Sequence, residues 1–270
     1  MTYKIVFTDI DGTLLNKDRQ LSHLTLEVFQ QLSLQLPIVL ISSRMPQAMK
    51  HLQEELGIEH EPLICYNGAQ VILNGKTVIS KEIPWQIIND LNDFNQKTGS
   101  HISLYNNHDW YVPEMDQWAQ REQHNTKVTP TVKSIAEVLK NWNSNSKGAH
   151  KIMCMGDAEK INSVENFLFE RYKNDLHLYR SKPTYLEITN KNVSKLTAVN
   201  FLLDSHFNLA LKEAIAFGDN YNDFEMLKAA GMGIAVGNAK PEILEIAKQV
   251  THKNIDDGVA KSLQQLFGLS

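Results

Sequence analysis

Three short apolar runs, each closed by polar residues and each separated by an amphipathic stretch, constrain the fold of the N-terminal quarter. They are Lys4-Ile5-Val6-Phe7-Thr8, then Ile38-Val39-Leu40-Ile41 behind Pro37, then Leu63-Ile64-Cys65-Tyr66. Continuous apolar runs of this length are the pattern of strands buried on both faces, as in parallel sheets. Between the first two runs, Leu24, Val28 and Leu32 lie at helical spacing behind Ser22, a candidate N-cap. Between the second and third, Met45, Met49, Leu52 and Leu56 share a face, with Gly57 just beyond. Strand-helix alternation with short connections predicts a doubly wound, Rossmann-like parallel sheet. Asn74-Gly75, flanked by Val71-Ile72-Leu73 and Thr77-Val78-Ile79, adds a hairpin. The buried-strand pattern returns at Ala214-Ile215-Ala216-Phe217 and Gly233-Ile234-Ala235-Val236.

Between about Pro84 and Pro183 the texture is more polar and rich in Asn, His and aromatic residues. Helices are expected at Trp85–Thr98 and Glu159–Tyr172, strands near Ile102–Tyr105 and Lys151–Met155, and an exposed loop at Asn141–Gly148. The reading is an α/β core domain made of residues 1–82 and 188–270, interrupted by an inserted α+β domain at 83–187. No internal repeat is visible.

With 42% hydrophobic and 21% charged residues the chain has the composition of a folded globule rather than a disordered one. A net charge of -4 offers no basic surface for nucleic acid or an anionic membrane. The two cysteines, Cys65 and Cys154, sit far apart in apolar runs, which suits buried free thiols better than a disulfide framework or a zinc site. No apolar stretch approaches the roughly 20 residues of a membrane span, and no signal peptide is recognisable, so a cytoplasmic protein is expected.

The chemistry concentrates at strand ends. Asp9 and Asp11 follow the first run, and the period of two lets both carboxylates leave on one side while Ile10 points away. In open α/β sheets ligands bind at the carboxyl ends of the strands. Two carboxylates there repel unless a cation or a shared proton offsets them, and Mg2+ is the natural cation for oxygen ligands beside a phosphate. A second acidic segment, Gly218-Asp219-Asn220-Tyr221-Asn222-Asp223, also follows a buried strand and precedes a helix with Phe224, Met226 and Leu227. Asn222 or Asp223 would also serve as a plain helix cap. Ser42 ends the second strand with a hydroxyl, and Lys195 offers positive charge, although each alone reads as a surface residue.

Asp9-Ile10-Asp11-Gly12-Thr13-Leu14-Leu15 resembles the first motif of the haloacid dehalogenase-like (HAD) superfamily. Ser42-Ser43-Arg44, Val193-Ser194-Lys195 and Gly218-Asp219-Asn220-Tyr221-Asn222-Asp223-Phe224-Glu225-Met226-Leu227 resemble its second, third and fourth motifs, in the same order. Gly237-Asn238-Ala239 and Asp257-Gly258-Val259-Ala260 are similar to the Cof-type subfamily, whose large α/β cap lies between motifs two and three. The resemblance spans the chain and is clearest at its two ends. It implies an Mg2+-dependent phosphatase of small phosphorylated metabolites working through an aspartyl-phosphate on Asp9. Asp11 would be general acid and base. Ile10, Ser42, Ser43, Lys195 and Asn222 would bind the phosphoryl group, and Asp9, Asp11, Asp219 and Asp223 would form the metal set, with Asp223 orienting its shell. The chain departs from the family pattern at Ser43, where Gly is usual, and at Leu196, where Gly commonly follows the lysine.

Other signals carry less. Gly231-Met232-Gly233-Ile234-Ala235-Val236-Gly237 precedes a strand instead of following one, the wrong context for a dinucleotide fingerprint. The histidines show no zinc pattern, and Asn192-Val193-Ser194 matters as a glycosylation acceptor only in a secreted chain. Tyr105, His108, Trp110 and Tyr111 fit a substrate pocket, a domain core or a dimer face alike. A monomer or weak homodimer is expected. A sugar phosphomutase and a non-catalytic sensor of a phosphorylated ligand are the competing functions.

Overall fold

The computed structural model describes residues 3–145 and 147–269. In chain order, β1 (Ile5–Thr8), α1 (His23–Leu32), β2 (Ile38–Ile41), α2 (Gln47–Leu56), β3 (Leu63–Cys65), β4 (Gln70–Leu73) and β5 (Lys76–Ser80) come first. The middle of the chain forms β6 (Ile83–Pro84), α3 (Trp85–Thr98), β7 (His101–Asn106), β8 (Asp109–Val112), α4 (Gln117–Thr126), β9 (Thr131–Val132) and α5 (Ile135–Ser144). It continues with β10 (Gly148–Ala149), β11 (Lys151–Met155), α6 (Ala158–Tyr172), β12 (Leu176–Lys182) and β13 (Tyr185–Asn190). The chain ends with α7 (Lys195–Leu202), β14 (Ala214–Gly218), α8 (Phe224–Ala229), β15 (Met232–Ala235), α9 (Pro241–Ile246), β16 (Gln249–Val250) and α10 (Gly258–Phe267). Two compact units result. One runs to Arg44, from Met49 to Val78 and from Ser194 onward, and the other comprises Met45–Ala48 and Ile79–Val193.

The first unit is built on a sheet of order β16-β15-β14-β1-β2-β3-β4-β5. Strands from β16 to β3 are parallel, β4 returns antiparallel to β3 through the turn at Tyr66–Gly68, and the expected Asn74-Gly75 hairpin joins β4 to its neighbour β5. The chain winds outward from β1 in one direction through β2 and β3, then from β14 in the other through β15 and β16. The reversal lies between β1 and β14, which places a ligand crevice at their carboxyl ends. Every residue of β1, β2 and β14 is buried, as the unbroken apolar runs require. Ser22 caps α1 by accepting from the Thr25 N–H.

In the second unit the sheet order is β12-β13-β11-β7-β8-β9, antiparallel except for β8 beside β9. One apolar cluster joins Ile102, Leu104, Ile152, Cys154, Leu186 and Ile188 of this sheet to Ile88 and Leu91 of α3, Leu139 and Trp142 of α5 and Leu168 of α6. Tyr111 packs edge-on against Trp142, whereas Tyr105 and Trp110 stack as a cross-strand pair and His108 lies in the exposed turn. The expected loop at Asn141–Gly148 is corrected. Helix α5 continues to Ser144 with Trp142 buried, because Ile135, Val138, Leu139 and Trp142 form one apolar stripe behind a Ser134/Glu137 capping box. Gly148 is buried in β10, and Ser146 lies outside the described residues. Both cysteines are free and buried, and burial pushes their thiols up, that of Cys154 to about 12.

His150 gives this unit a predictable acid sensitivity. Its side chain is fully buried, Nδ1 accepts from the Asn107 N–H at 3.1 Å, and Nε2 lies 2.9 Å from Ser80 Oγ. Nδ1 is therefore the unprotonated nitrogen, and charging the ring would destroy that acceptor. Burial lowers its pKa from 6.5 to about 4, against an opposing pull from Glu82. The unfolded chain takes up the proton first as pH falls, so the stability is whole above pH 6.5 and declines towards about 4. Urea unfolding should show a pH slope up to about 1.4 kcal/mol per unit steeper in the wild type than in His150→Gln over that window. Equal slopes would contradict this.

Candidate active site

The parallel register brings the candidate residues to one sheet edge. Thr8 pairs with Phe217 and with Leu40, and Ile41 with Ile64. Asp9, Ser42, the turn after β3 and the segment after Gly218 therefore leave the sheet at the same end. Lys195 enters from the first turn of α7, which Ser194 caps.

At the centre Lys195, its side chain fully buried, donates to Asp9 Oδ1 at 2.5 Å and to Asp223 Oδ1 at 2.6 Å. The other Asp223 oxygen accepts from the N–H groups of Asp219 and Asn220 at 3.0 and 3.1 Å, so both its oxygens are engaged. Asp9, Asp219 and Asp223 each bring a carboxylate oxygen within 4.8 Å of the others. Burial works against the charge on Lys195, but Asp223 and Asp9 outweigh it and hold its pKa above the usual lysine value. Burial raises the Asp9 pKa well above the carboxylate range, Lys195 opposes this, and Asp223 and Asp219 add to it. Asp219 is pushed to about 6, mainly by burial and then by Asp223, against a hydrogen bond from Thr13 Oγ1 at 2.8 Å. Three crowded carboxylates face one ammonium, an excess of negative charge that a cation preferring hard oxygen donors would neutralise.

Gly12 is required here. Its φ of +85° is a left-handed conformation, and a Cβ would sit 2.6 Å from Asp219 Oδ2. Beyond it, the Ile10 carbonyl accepts from the N–H groups of Leu14 and Leu15, closing the loop that carries Asp11. The Asp11 carboxylate lies outside the three-carboxylate cluster. It is gripped at both oxygens by Arg44, Nε to Oδ2 at 2.6 Å and Nη2 to Oδ1 at 2.7 Å, with Arg19 Nη1 at 3.3 Å. Ser42 is buried, and its Oγ accepts from the Arg44 N–H at 3.2 Å, which leaves the hydroxyl proton to donate. Ser43, partly buried, adopts no positive φ, so its Cβ is accommodated without backbone strain. Asn222 donates through Nδ2 to Asn67 Oδ1 at 3.0 Å.

A family model described as haloacid dehalogenase-like hydrolase matches residues 6–263. The chain belongs to this family. A Haemophilus influenzae protein provisionally named a phosphatase is 33% identical to this hydrolase over 99% of each chain. A haloacid dehalogenase-like hydrolase from Bacteroides thetaiotaomicron is similar at 26% identity with a TM-score of 0.90, covering 98% of this chain and 100% of that one. A Thermotoga maritima protein gives a TM-score of 0.87 at 28% identity, covering 98% and 97%. Among the described residues, no helix of the hydrolase is long and apolar enough to cross a membrane.

Three residues of this site escaped sequence reasoning. Arg44 belongs to the second motif, where the resemblance gives it no role; an arginine three positions past a buried strand, beside two serines, is the available signal. Thr13 was likewise only part of a motif. Asn67 lies just past the third apolar run and belongs to none of the motifs.

Proposed function

We propose that this hydrolase is a phosphatase that cleaves phosphate monoesters of small metabolites through a covalent aspartyl-phosphate on Asp9. The observation that carries the reading is the buried Lys195 bridging Asp9 and Asp223 beside Asp219, a nucleophile, a charge-neutralising donor and a cation site in one cluster. Asp9 and Asp219, with the main chain of Asp11, would hold Mg2+, and Asp223, its oxygens already committed to Lys195 and two N–H groups, would orient that shell. Bound there, the ion supplies positive charge to the phosphoryl oxygens and offsets the repulsion among the carboxylates.

Lys195 fixes the Asp9 side chain through Oδ1, and the carboxylate attacks phosphorus. The bond to the leaving oxygen breaks as Asp11 delivers its proton to that oxygen. Water then attacks the phosphorus, Asp11 takes the water proton, and the Asp9–phosphorus bond breaks to release phosphate. Ser42 Oγ, the Ile10 and Ser43 amides, Asn222 Nδ2 and Lys195 donate to the phosphoryl oxygens. The covalent intermediate divides one slow displacement into two easier ones, and pre-aimed donors around the developing charge accelerate each.

The test is phosphate release from a panel of phosphomonoesters with Mg2+ and with a chelator, beside Asp9→Asn. Release should require the metal and fall below detection in the variant. Phosphate release from Asp9→Asn at the wild-type rate would overturn the reading. Isomerisation of a sugar phosphate without release would turn it towards a mutase.

A further inference from the structure

The turn after β3 is strained in a way that ordinary loops avoid. Tyr66, Asn67 and Gly68 adopt φ values of 52°, 56° and 102°, three left-handed residues in succession. Tyr66 is completely buried, and a bulky aromatic residue in that region is a genuine outlier. Such strain persists only where the surroundings enforce it, and it gathers at functional sites.

What the turn touches gives the reason. The Tyr66 N–H donates to the Arg44 carbonyl at 3.1 Å and the Asn67 N–H to the Ser42 carbonyl at 2.8 Å. Gly68 lies so close to the start of α7 that a Cβ would stand 2.5 Å from the Ser194 carbonyl oxygen. The Asn67 side chain, 9% exposed, accepts from Asn222 Nδ2. One three-residue turn thus touches the segments carrying Ser42, Arg44, Lys195 and Asn222.

We propose that Asn67 is a positioning residue that orients the Asn222 amide towards a phosphoryl oxygen, and that the left-handed turn serves to place it. This rests on the phosphatase reading above. An asparagine amide presents N–H on one side and a carbonyl on the other, and the wrong orientation aims an acceptor at an anion. By accepting one Nδ2 hydrogen, Asn67 fixes the orientation and leaves the second hydrogen for the phosphoryl group. A hydrogen bond to a charged group is worth about a ten-fold change in binding or more.

Asn67→Gly tests this cleanly, because glycine keeps the left-handed backbone without strain and removes only the amide. With Mg2+ present, the KM for a turned-over ester and the inhibition constant of inorganic phosphate should both rise about ten-fold, with kcat and the melting temperature changing far less. Asn222→Ala should show the same rise, and the double variant should be no worse than Asn222→Ala alone. Wild-type constants in Asn67→Gly, or additive losses in the double variant, would overturn the proposal while leaving wild-type turnover intact. A wild type that neither releases nor binds phosphate would overturn the phosphatase reading itself, and this proposal with it.

Discussion

Lys195→Met should abolish measurable turnover and destabilise the fold in the same stroke. Methionine conserves much of the lysine volume, so the loss is one of charge and not of packing. Lys195 is the shared donor to Asp9 and Asp223, and all three side chains are buried. Removing one partner from a buried ion pair costs about 3–5 kcal/mol, because the remaining charge has no partner. Here two carboxylates lose theirs, with Asp219 alongside. Losing a donor aimed at developing transition-state charge lowers turnover by about 10²–10³-fold even without disturbance of its neighbours. The destabilisation should be partly reversed by Mg2+, and more strongly in the variant than in the wild type, because the cation takes over the neutralising role. Urea unfolding with and without Mg2+, beside phosphate release, reads both effects. A variant that unfolds like the wild type and still turns over would show that this cluster is neither the electrostatic nor the catalytic centre.

Asp11→Asn should separate the two halves of the reaction. Asparagine keeps the shape but can neither give up nor accept the proton, a contribution of about 10²–10⁴-fold. Poor leaving groups such as alkyl alcohols need that proton, whereas a nitrophenolate leaves without it. Alkyl phosphates should therefore lose the full factor. An aryl phosphate should give a rapid burst of phenolate equal to the enzyme present, followed by slow turnover, since the water step still lacks its base. The grip of Arg44 on both Asp11 oxygens is that of the ionised carboxylate, the form that takes the water proton. Delivering a proton to the leaving oxygen requires one of these contacts to open, and Asn would keep only part of the grip. Equal losses for alkyl and aryl substrates, with no burst, would remove Asp11 from the proton-transfer role.

How far the sequence alone reaches follows from where each signal is stored. Strands β1, β2 and β14 were legible because burial on both faces writes itself as unbroken Val, Ile, Leu and Phe. Asp9 and Asp219 were legible because each stands directly after such a run. Strand β13 was not, because Glu187 is buried in its middle and breaks the apolar pattern. Helix α4, QWAQREQHNT, buries only Ala119 and so has no periodicity to find. Lys195 looked like a solvated helix residue, and its burial depends on Asp9, a partner 186 positions away. The Arg44–Asp11 pair and the Asn67–Asn222 contact join segments 33 and 155 positions apart, and no local pattern encodes either.

The central claim is the covalent bond between Asp9 and phosphorus, and the Asp11→Asn variant offers the most direct measurement of it. That protein, acid-quenched during turnover of an aryl phosphate with Mg2+ and then digested, should carry one phosphoryl group on the peptide containing Asp9. The label should be absent after chelation and absent from a variant that also bears Asp9→Asn. Steady phosphate release with no labelled peptide, or a label on another residue, would contradict the account.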